Sequence, residues 1–342
     1  MRTDAPRTRL ATRSLVVALA IGAGLAAGCV TRVTTDDTAP PTAPSGAATQ
    51  APAASSTATP PASPRPGTSA SATAAPTMPP VVLVGAGDIA SCGSSGDEAT
   101  ADLLDGIDGT VFTAGDNAYD RGTAAEFADC YDPTWGRHRE RTLPVPGNHD
   151  YVTAGAAGYF GYFGAAAGDP AEGWYATDLG AWRIYALNSD CWAIGGCGAG
   201  SAQERWLRDD LESNPRACVL AIWHHPRFSS GDHGSDPMTS ALWQALADAG
   251  AEIVVNGHDH DYERFGPQDV NGTADPGGIV EYVVGTGGRS HYAFGTPIAN
   301  SVVRDSSSFG VVRFDLDAGG WASTFVPVAG ATFTDIARGT CH

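Results

Sequence analysis

Lysine is absent from this chain of 342 residues: all 20 permanently cationic side chains are arginines, set against 38 Asp and Glu for a net charge of −18. A field of that sign repels long polyanions, and the globular part carries no arginine run to offset it, which excludes nucleic acid as a natural partner. The missing lysine also removes any Walker-type phosphate loop, so Gly285-Thr286-Gly287-Gly288, which follows an apolar run, reads as a tight turn near a cleft. No C-x-x-C pair occurs among the seven cysteines, which argues against thiolate metal sites. Long apolar runs are lacking too, since Ser14 to Ala27 is too short to span a bilayer comfortably. No segment repeats at a fixed period.

What is present falls into three stretches. Arg2, Arg7, Arg9 and Arg13 precede the apolar run, and Ala26-Ala27-Gly28 lead into Cys29, so residues 1–28 read as an export signal. The small residues before Cys29 resemble a bacterial lipoprotein box with its leucine, Leu25, one place early. Two products stay open, a lipid-anchored Cys29, which is favoured, and ordinary cleavage with secretion; contact with a membrane would run only through that anchor. Residues 29–80 are almost entirely Ala, Thr, Ser and Pro; with so little apolar surface to bury they cannot offset their ordering entropy, and they read as a disordered linker. The third stretch, 81–342, is globular. Its cysteines, Cys92, Cys130, Cys191, Cys197, Cys218 and Cys341, are disulfide candidates in an exported chain. The short Gly-rich span between Cys191 and Cys197 favours that pair, with the other connectivities open.

Unalternating apolar runs at Val81 to Gly85, Thr110 to Thr113, Cys218 to Trp223 and Glu252 to Asn256 predict strands buried on both faces. Helical patterns at Asp97 to Leu104, Thr123 to Cys130 and Thr239 to Ala249 follow the first three. Trp174 to Thr177 and Trp182 to Asn188 predict a hairpin around Asp178-Leu179-Gly180-Ala181. Ile279 to Val284, Phe309 to Leu316 and Trp321 to Val326 predict a second set of mixed or antiparallel strands. An α/β fold of two packed mixed β-sheets flanked by helices accommodates all of these.

Five short apolar runs, the four buried ones above and that preceding Gly147, stop at residues that bind metals: Gly87-Asp88, Gly115-Asp116, Gly147-Asn148-His149-Asp150, His224-His225 and Gly257-His258-Asp259-His260. A strand that ends in a ligand delivers it to the edge of a sheet, so five such strands predict carboxylate, amide and imidazole groups converging on one cleft. In this order, with Asn117-Ala118-Tyr119 and Ile222-Trp223, the motifs resemble those of the calcineurin-like metallophosphoesterases, purple acid phosphatase type, over roughly residues 81–295. The resemblance implies a four-layer αββα sandwich for 81–342 and two metal ions in its catalytic cleft. It makes Asp116 the shared carboxylate, Asp88, Tyr119 and His260 the other ligands of the first ion, and Asn148, His224 and His258 those of the second. Many relatives carry a histidine two residues after the first aspartate, where this chain has Ala90. A Tyr119 phenolate takes its place and favours Fe(III), paired with Fe(II), Zn(II) or Mn(II).

The implied reaction is hydrolysis of a small phosphomonoester by an exported enzyme, a metal-held hydroxide attacking in line. His149 would contact the phosphate or protonate the leaving oxygen, Asp150 would orient its ring, and His233 would be a second substrate-facing histidine. His225 is either substrate-facing or a hydrogen-bonding residue behind the ligands, whereas His138, His291 and His342 have no motif and read as structural or exposed. Tyr159-Phe160 and Tyr162-Phe163 read as core before substrate wall. A phosphodiesterase of the same fold, a metal-binding scaffold without turnover, and a purely structural metal are the alternatives.

Overall fold

The structure, a computed structural model, describes residues 79–342; the expected signal, Cys29 and nearly all of the linker lie outside the described residues. The strands are, in chain order, β1 (Val81–Ala86), β2 (Thr110–Thr113), β3 (Thr142–Leu143), β4 (Tyr175–Leu179), β5 (Trp182–Ala186), β6 (Cys218–Ile222), β7 (Ile253–Asn256), β8 (Tyr262–Phe265), β9 (Val280–Val284), β10 (Ser301–Asp305), β11 (Gly310–Leu316), β12 (Gly320–Pro327) and β13 (Ile336–Thr340). One sheet runs β13-β12-β11-β1-β2-β3 and the other β10-β8-β9-β7-β6-β5-β4.

Each sheet has a parallel part, at one side of the first sheet and in the middle of the second. β1, β2 and β3 are parallel in the first sheet, and β5, β6, β7 and β9 in the second. The apolar runs explain this: every residue of β6, β7 and β9 is buried, as strands covered on both faces require. Side chains alternate between the faces, so Leu220, Ile222, Ile253 and Val255 join Leu83, Phe112 and Phe314 of the first sheet in the core between the sheets. Val219, Ala221 and Val254 pack instead with Leu207 of helix Ala202–Ser213 and with Leu242, Trp243 and Leu246 of helix Ser240–Asp248.

The late strands do not form a set of their own. β11 pairs antiparallel with β1, Leu83 facing Phe314, and β12 and β13 extend that sheet, while β9 lies beside β7 in the other. Strands β1 and β7 are apolar on both faces and cannot remain edges, so each takes a late strand as its outer neighbour. The expected hairpin is β4–β5, turning through Gly180 at φ 61. The helix expected over Thr123 to Cys130 starts with a Thr123–Glu126 capping box, then widens after one short α segment into a π turn over Phe127–Tyr131. No helix of the described residues is long and apolar enough to cross a membrane.

Covalent and ionic ties close the domain. Cys191–Cys197 forms as favoured, and Cys92–Cys130 and Cys218–Cys341 complete the pairing. Between the sheets, Arg264 of β8 holds Asp335, just before β13, with Nε–Oδ2 at 2.6 Å and Nη2–Oδ1 at 3.1 Å, and the Tyr262 hydroxyl donates to the same carboxylate at 2.8 Å.

Candidate metal centre

Asp88 lies just past β1, Asp116 just past β2 and Asn148 beyond β3, whereas His224 follows β6 and His258 follows β7. The cleft therefore straddles two sheets: three of the five strand ends come from one and two from the other. Delivering side chains inward at these sharp exits costs backbone strain. Asp88, Asp116 and His258 all sit in the left-handed region, at φ 60, 50 and 72, a conformation non-glycine residues avoid unless the surroundings enforce it. Two glycines make room. A Cβ on Gly147 would lie 2.4 Å from Oδ1 of Asp116, and one on Gly257 would lie 2.6 Å from Oδ2 of Asp88.

The Tyr119 hydroxyl is the centre of the cluster. It donates to Oδ1 of Asp88 at 2.7 Å or Oδ2 of Asp116 at 2.8 Å, and stands 3.1 Å from Nε2 of His260. Nε2 of His224 is 3.3 Å from Oδ2 of Asp116, 3.1 Å from Oδ1 of Asn148 and 3.3 Å from Nδ1 of His258. The seven side chains assigned by resemblance as ligands are thus linked by contacts of hydrogen-bond length. Two of the imidazoles are anchored from behind: Nδ1 of His224 meets the Ala114 carbonyl at 2.8 Å, and Nδ1 of His260 meets the Ser290 hydroxyl at 2.7 Å, so each presents Nε2 to the cluster.

His149 stands at the rim with Nε2 4.0 Å from Oδ2 of Asp116. Its ring is not oriented by Asp150. Nδ1 meets the Asp120 carbonyl at 2.6 Å, while Oδ2 of Asp150 accepts from the Gly147 amide at 3.0 Å, the Asn117 amide at 3.2 Å and the Asn117 side-chain amide at 2.9 Å. Asp150 is fully buried because the backbone turns inward there, and it braces the turn that carries Asn148 instead of touching the rim histidine. His233 has its ring 4.3 Å from that of His258, and His225 has its ring 4.5 Å from the same residue with Nδ1 2.8 Å from the Ser189 hydroxyl. Of the motif-free histidines, His138 is buried, His291 stacks on Phe309 at 4.1 Å and His342 lies 3.3 Å from Glu252. Tyr159, Phe160 and Phe163 are core.

Charge explains why a cation suits this cluster. Burial opposes ionisation of Asp116, yet His224 and His149 outweigh it and hold the carboxyl well below its usual range. Burial likewise opposes a charge on His224, but Asp116, with help from Asp88 and the Ala114 carbonyl, pushes it up to about 10. His258 moves the other way, because burial and the neighbouring His224 and His225 hold it below the ordinary histidine range. Tyr119 is raised well above its ordinary value by burial and then by Asp116 and Asp88, so in the protein alone it is a neutral phenol. Two buried carboxylates thus draw in positive charge, and among the described residues only histidines form ion pairs with them.

Sequence reading missed a wall of the cleft. The segment after Gly285-Thr286-Gly287-Gly288 places Ser290 behind His260, stacks the Tyr292 ring on His260 at 4.0 Å, and brings the Arg289 guanidinium 5.1 Å from the centre of the Tyr119 ring. The signal was available, since β9 runs parallel to β7 and its exit is one more strand end. Three buried carboxylates were also missed as anchors of the loop bearing His233. Glu281 accepts from the Arg227 and Phe228 amides, Glu263 from the Ser230 amide, and Asp259 from the His233 and Gly234 amides. Asp190, fully buried near Asp116 and His224, has both carboxylate oxygens unpartnered, and burial raises it to about 8.

Residues 77–262, more than half of the chain, match the calcineurin-like phosphoesterase family. The chain belongs to that family. Among curated relatives it is similar to purple acid phosphatase 15 of Arabidopsis thaliana, 37% identical over 93 residues that make up 25% of this chain and 17% of that protein. It is also similar to an uncharacterised protein of Mycobacterium tuberculosis strain H37Rv, 30% identical over 165 residues, 41% of this chain and 31% of that one. The chain therefore spans less than a third of the length of these relatives. In fold it resembles the purple acid phosphatase PPD1 of yellow lupin, at a TM-score of 0.62 and 19% identity, covering 76% of this chain and 53% of that one. It also resembles GAP50, described as the anchor in the inner membrane complex of Plasmodium, at 0.56 and 13%, covering 75% and 88%. The arrangement of two mixed sheets with helices is thus the metallophosphoesterase fold. Its residues fit the pair of cations that the family implies, because the donors are oxygen and imidazole without sulfur, and Asp88, Asp116 and His224 offer ligand atoms within 4.8 Å of one another, as do His224, His225 and His258.

Proposed function

We propose that this chain is a phosphoric ester hydrolase acting on phosphomonoesters, with Asp116 shared between two cations, Asp88, Tyr119 and His260 completing one site and Asn148, His224 and His258 the other. The observation that carries the reading is the Tyr119 hydroxyl, within 3.1 Å of Asp88, Asp116 and His260 at once. The phenol proton can serve only one of the two buried carboxylates at a time, whereas a cation in its place would meet both and the phenolate oxygen together, and a hard anionic oxygen selects Fe(III), with Fe(II), Zn(II) or Mn(II) beside it. When bound, the cations supply Lewis-acid charge to the phosphoryl oxygens.

The protein's own groups do the rest. The Asp120 carbonyl accepts from Nδ1–H of His149, which leaves Nε2 as the nitrogen that takes up a proton and hands it to the leaving oxygen. Asp259 holds the backbone amide of His233 at 2.7 Å, fixing that ring where it meets a phosphoryl oxygen. Asp150 positions Asn148 through the Gly147 turn. The three disulfides support an exported protein, since such bonds persist in oxidising compartments, with residues 81–342 as the catalytic domain behind a signal and linker.

Metal analysis together with turnover of p-nitrophenyl phosphate and bis-p-nitrophenyl phosphate tests the reading. Two ions per chain and faster monoester cleavage are expected. Preference for the diester would move the assignment to a phosphodiesterase. Two bound ions with neither ester cleaved would favour a metal-binding scaffold without turnover.

A further inference from the structure

The rim of the cleft carries one cationic head group that the ligand set does not use. Arg289 leaves the Gly287-Gly288 turn with its amide bonded to the Asp88 carbonyl at 3.0 Å, so its backbone is tied directly to a cluster residue. Its guanidinium lies over the Tyr119 ring at 5.1 Å, and Nη2 meets Oδ1 of Asp120 at 2.8 Å. Asp120 thereby serves two neighbours: its carbonyl takes His149, whose ring is 4.5 Å from Tyr119, and its carboxylate takes Arg289. His149 and Arg289 consequently flank the same phenol ring, one poised at Asp116 and the other turned outward.

Their partners separate their tasks: His149 lies 4.0 Å from buried Asp116, whereas Arg289 is paired with exposed Asp120. The Arg289 side chain is 34% exposed and its partner Asp120 68% exposed, so the pair is weakly held and an incoming anion displaces the aspartate at little cost. The turn behind it is rigid. Ser94 donates to the Gly288 carbonyl at 2.6 Å, Thr100 is bonded to the Gly287 carbonyl, and the Tyr292 amide donates to the His260 carbonyl at 3.1 Å. A planar guanidinium on a fixed stem matches a phosphate bidentately. The head group stands over the face of the Tyr119 ring, whose hydroxyl reaches Asp88 and Asp116, so it lies beside the carboxylate cluster without contacting it. In a protein of net charge −18, a local cation at the mouth also offsets repulsion of a polyanionic substrate.

We propose that Arg289 is a specificity residue that holds a second phosphate on the leaving-group side of the substrate, which makes bisphosphorylated small molecules preferred over simple monoesters. This rests on the hydrolase reading given above. The test compares glycerol carrying one phosphate with glycerol carrying two, using the full chain loaded with metal, for the parent, Arg289→Gln and Arg289→Lys. In the parent, kcat/KM favours the doubly phosphorylated compound. Arg289→Gln should lower that ratio about tenfold or more, chiefly through KM, and Arg289→Lys, which keeps the charge without the fork, should restore part of it. A ratio unchanged in Arg289→Gln, or an equal loss on both substrates, overturns the proposal. If the parent cleaves neither compound and also leaves p-nitrophenyl phosphate intact, the hydrolase reading fails by itself. Calorimetric binding of the two glycerol phosphates to parent and Arg289→Gln then decides about Arg289: a selective loss for the doubly phosphorylated ligand upholds it, and an equal effect on both rejects it.

Discussion

Replacing Asp150 by alanine separates two accounts of the Gly147-Asn148-His149-Asp150 motif. One oxygen of Asp150 accepts three donors, at 3.0, 3.2 and 2.9 Å, in a position without solvent access. A stranded buried donor costs roughly 1–3 kcal/mol, and because these three share one acceptor their losses do not add fully, so Asp150→Ala should cost about 3–5 kcal/mol. Asp150→Asn keeps an acceptor oxygen at that point. Its new amide would fill the place of Oδ1, which has no partner, and burial followed by Asp116 already raises the carboxyl to about 7, so the missing charge matters little. We expect about 1–2 kcal/mol for that substitution. Guanidinium unfolding measures the stabilities, metal analysis follows the Asn148 turn, and an NMR titration of His149 reports on its ring. The alanine variant should be unstable and metal-poor with little change at His149. Native stability and full metal content combined with a displaced His149 titration would refute the reasoning and return Asp150 to the role of ring-orienter.

Asp116→Asn should abolish turnover and lower the content of both ions, and Tyr119→Phe should remove visible absorption without lowering the melting temperature by more than a few degrees; metal analysis, spectroscopy and calorimetry check these. Removing Cys218–Cys341, which closes 123 residues, should cost about 5 kcal/mol, against about 2 for Cys191–Cys197 with its separation of 6. Equal losses from the two double-alanine variants would contradict the loop-entropy account. Burial opposes ionisation of Asp335, but Arg264 and Tyr262 prevail and lower its carboxyl from 3.8. A depressed value contributes stability that is present above the unfolded value and lost as pH falls through the folded one, so acid unfolding below about pH 4 should be less steep in Asp335→Asn. Melting temperatures from pH 2 to 6 would show it, and identical slopes would contradict it.

Much of the site was legible because strand exits are local signals. A short apolar run that stops at an Asp, Asn or His needs no knowledge of distant partners, and Asp88, Asp116, Asn148, His224, His258 and His260 are all readable that way. Tyr119 needed the family resemblance. Gly285-Thr286-Gly287-Gly288 reads as a tight turn near a cleft, but Arg289, Ser290 and Tyr292 beyond it carry no motif, although the strand-end rule applies to β9 as well. Helix Ala202–Ser213 carried a cap signal as well, Ser201 accepting from the Glu204 amide, that went unread. Strands β8, β10 and β13 were illegible for a different reason: they are short and carry charged residues, and cross-strand partners far along the chain make them strands.

Residue order alone therefore determined the composition class, the central strands and which side chains could bind a cation, since each depends on neighbours within a few positions. Only the folded chain decided that β11 joins β1 while β9 joins β7, that Asp150 braces a turn while Asp120 orients His149, and that Arg289 stands over Tyr119. Those outcomes depend on which open strand edges and buried donors find one another across the chain, and such choices are made by packing and hydrogen-bond satisfaction in three dimensions.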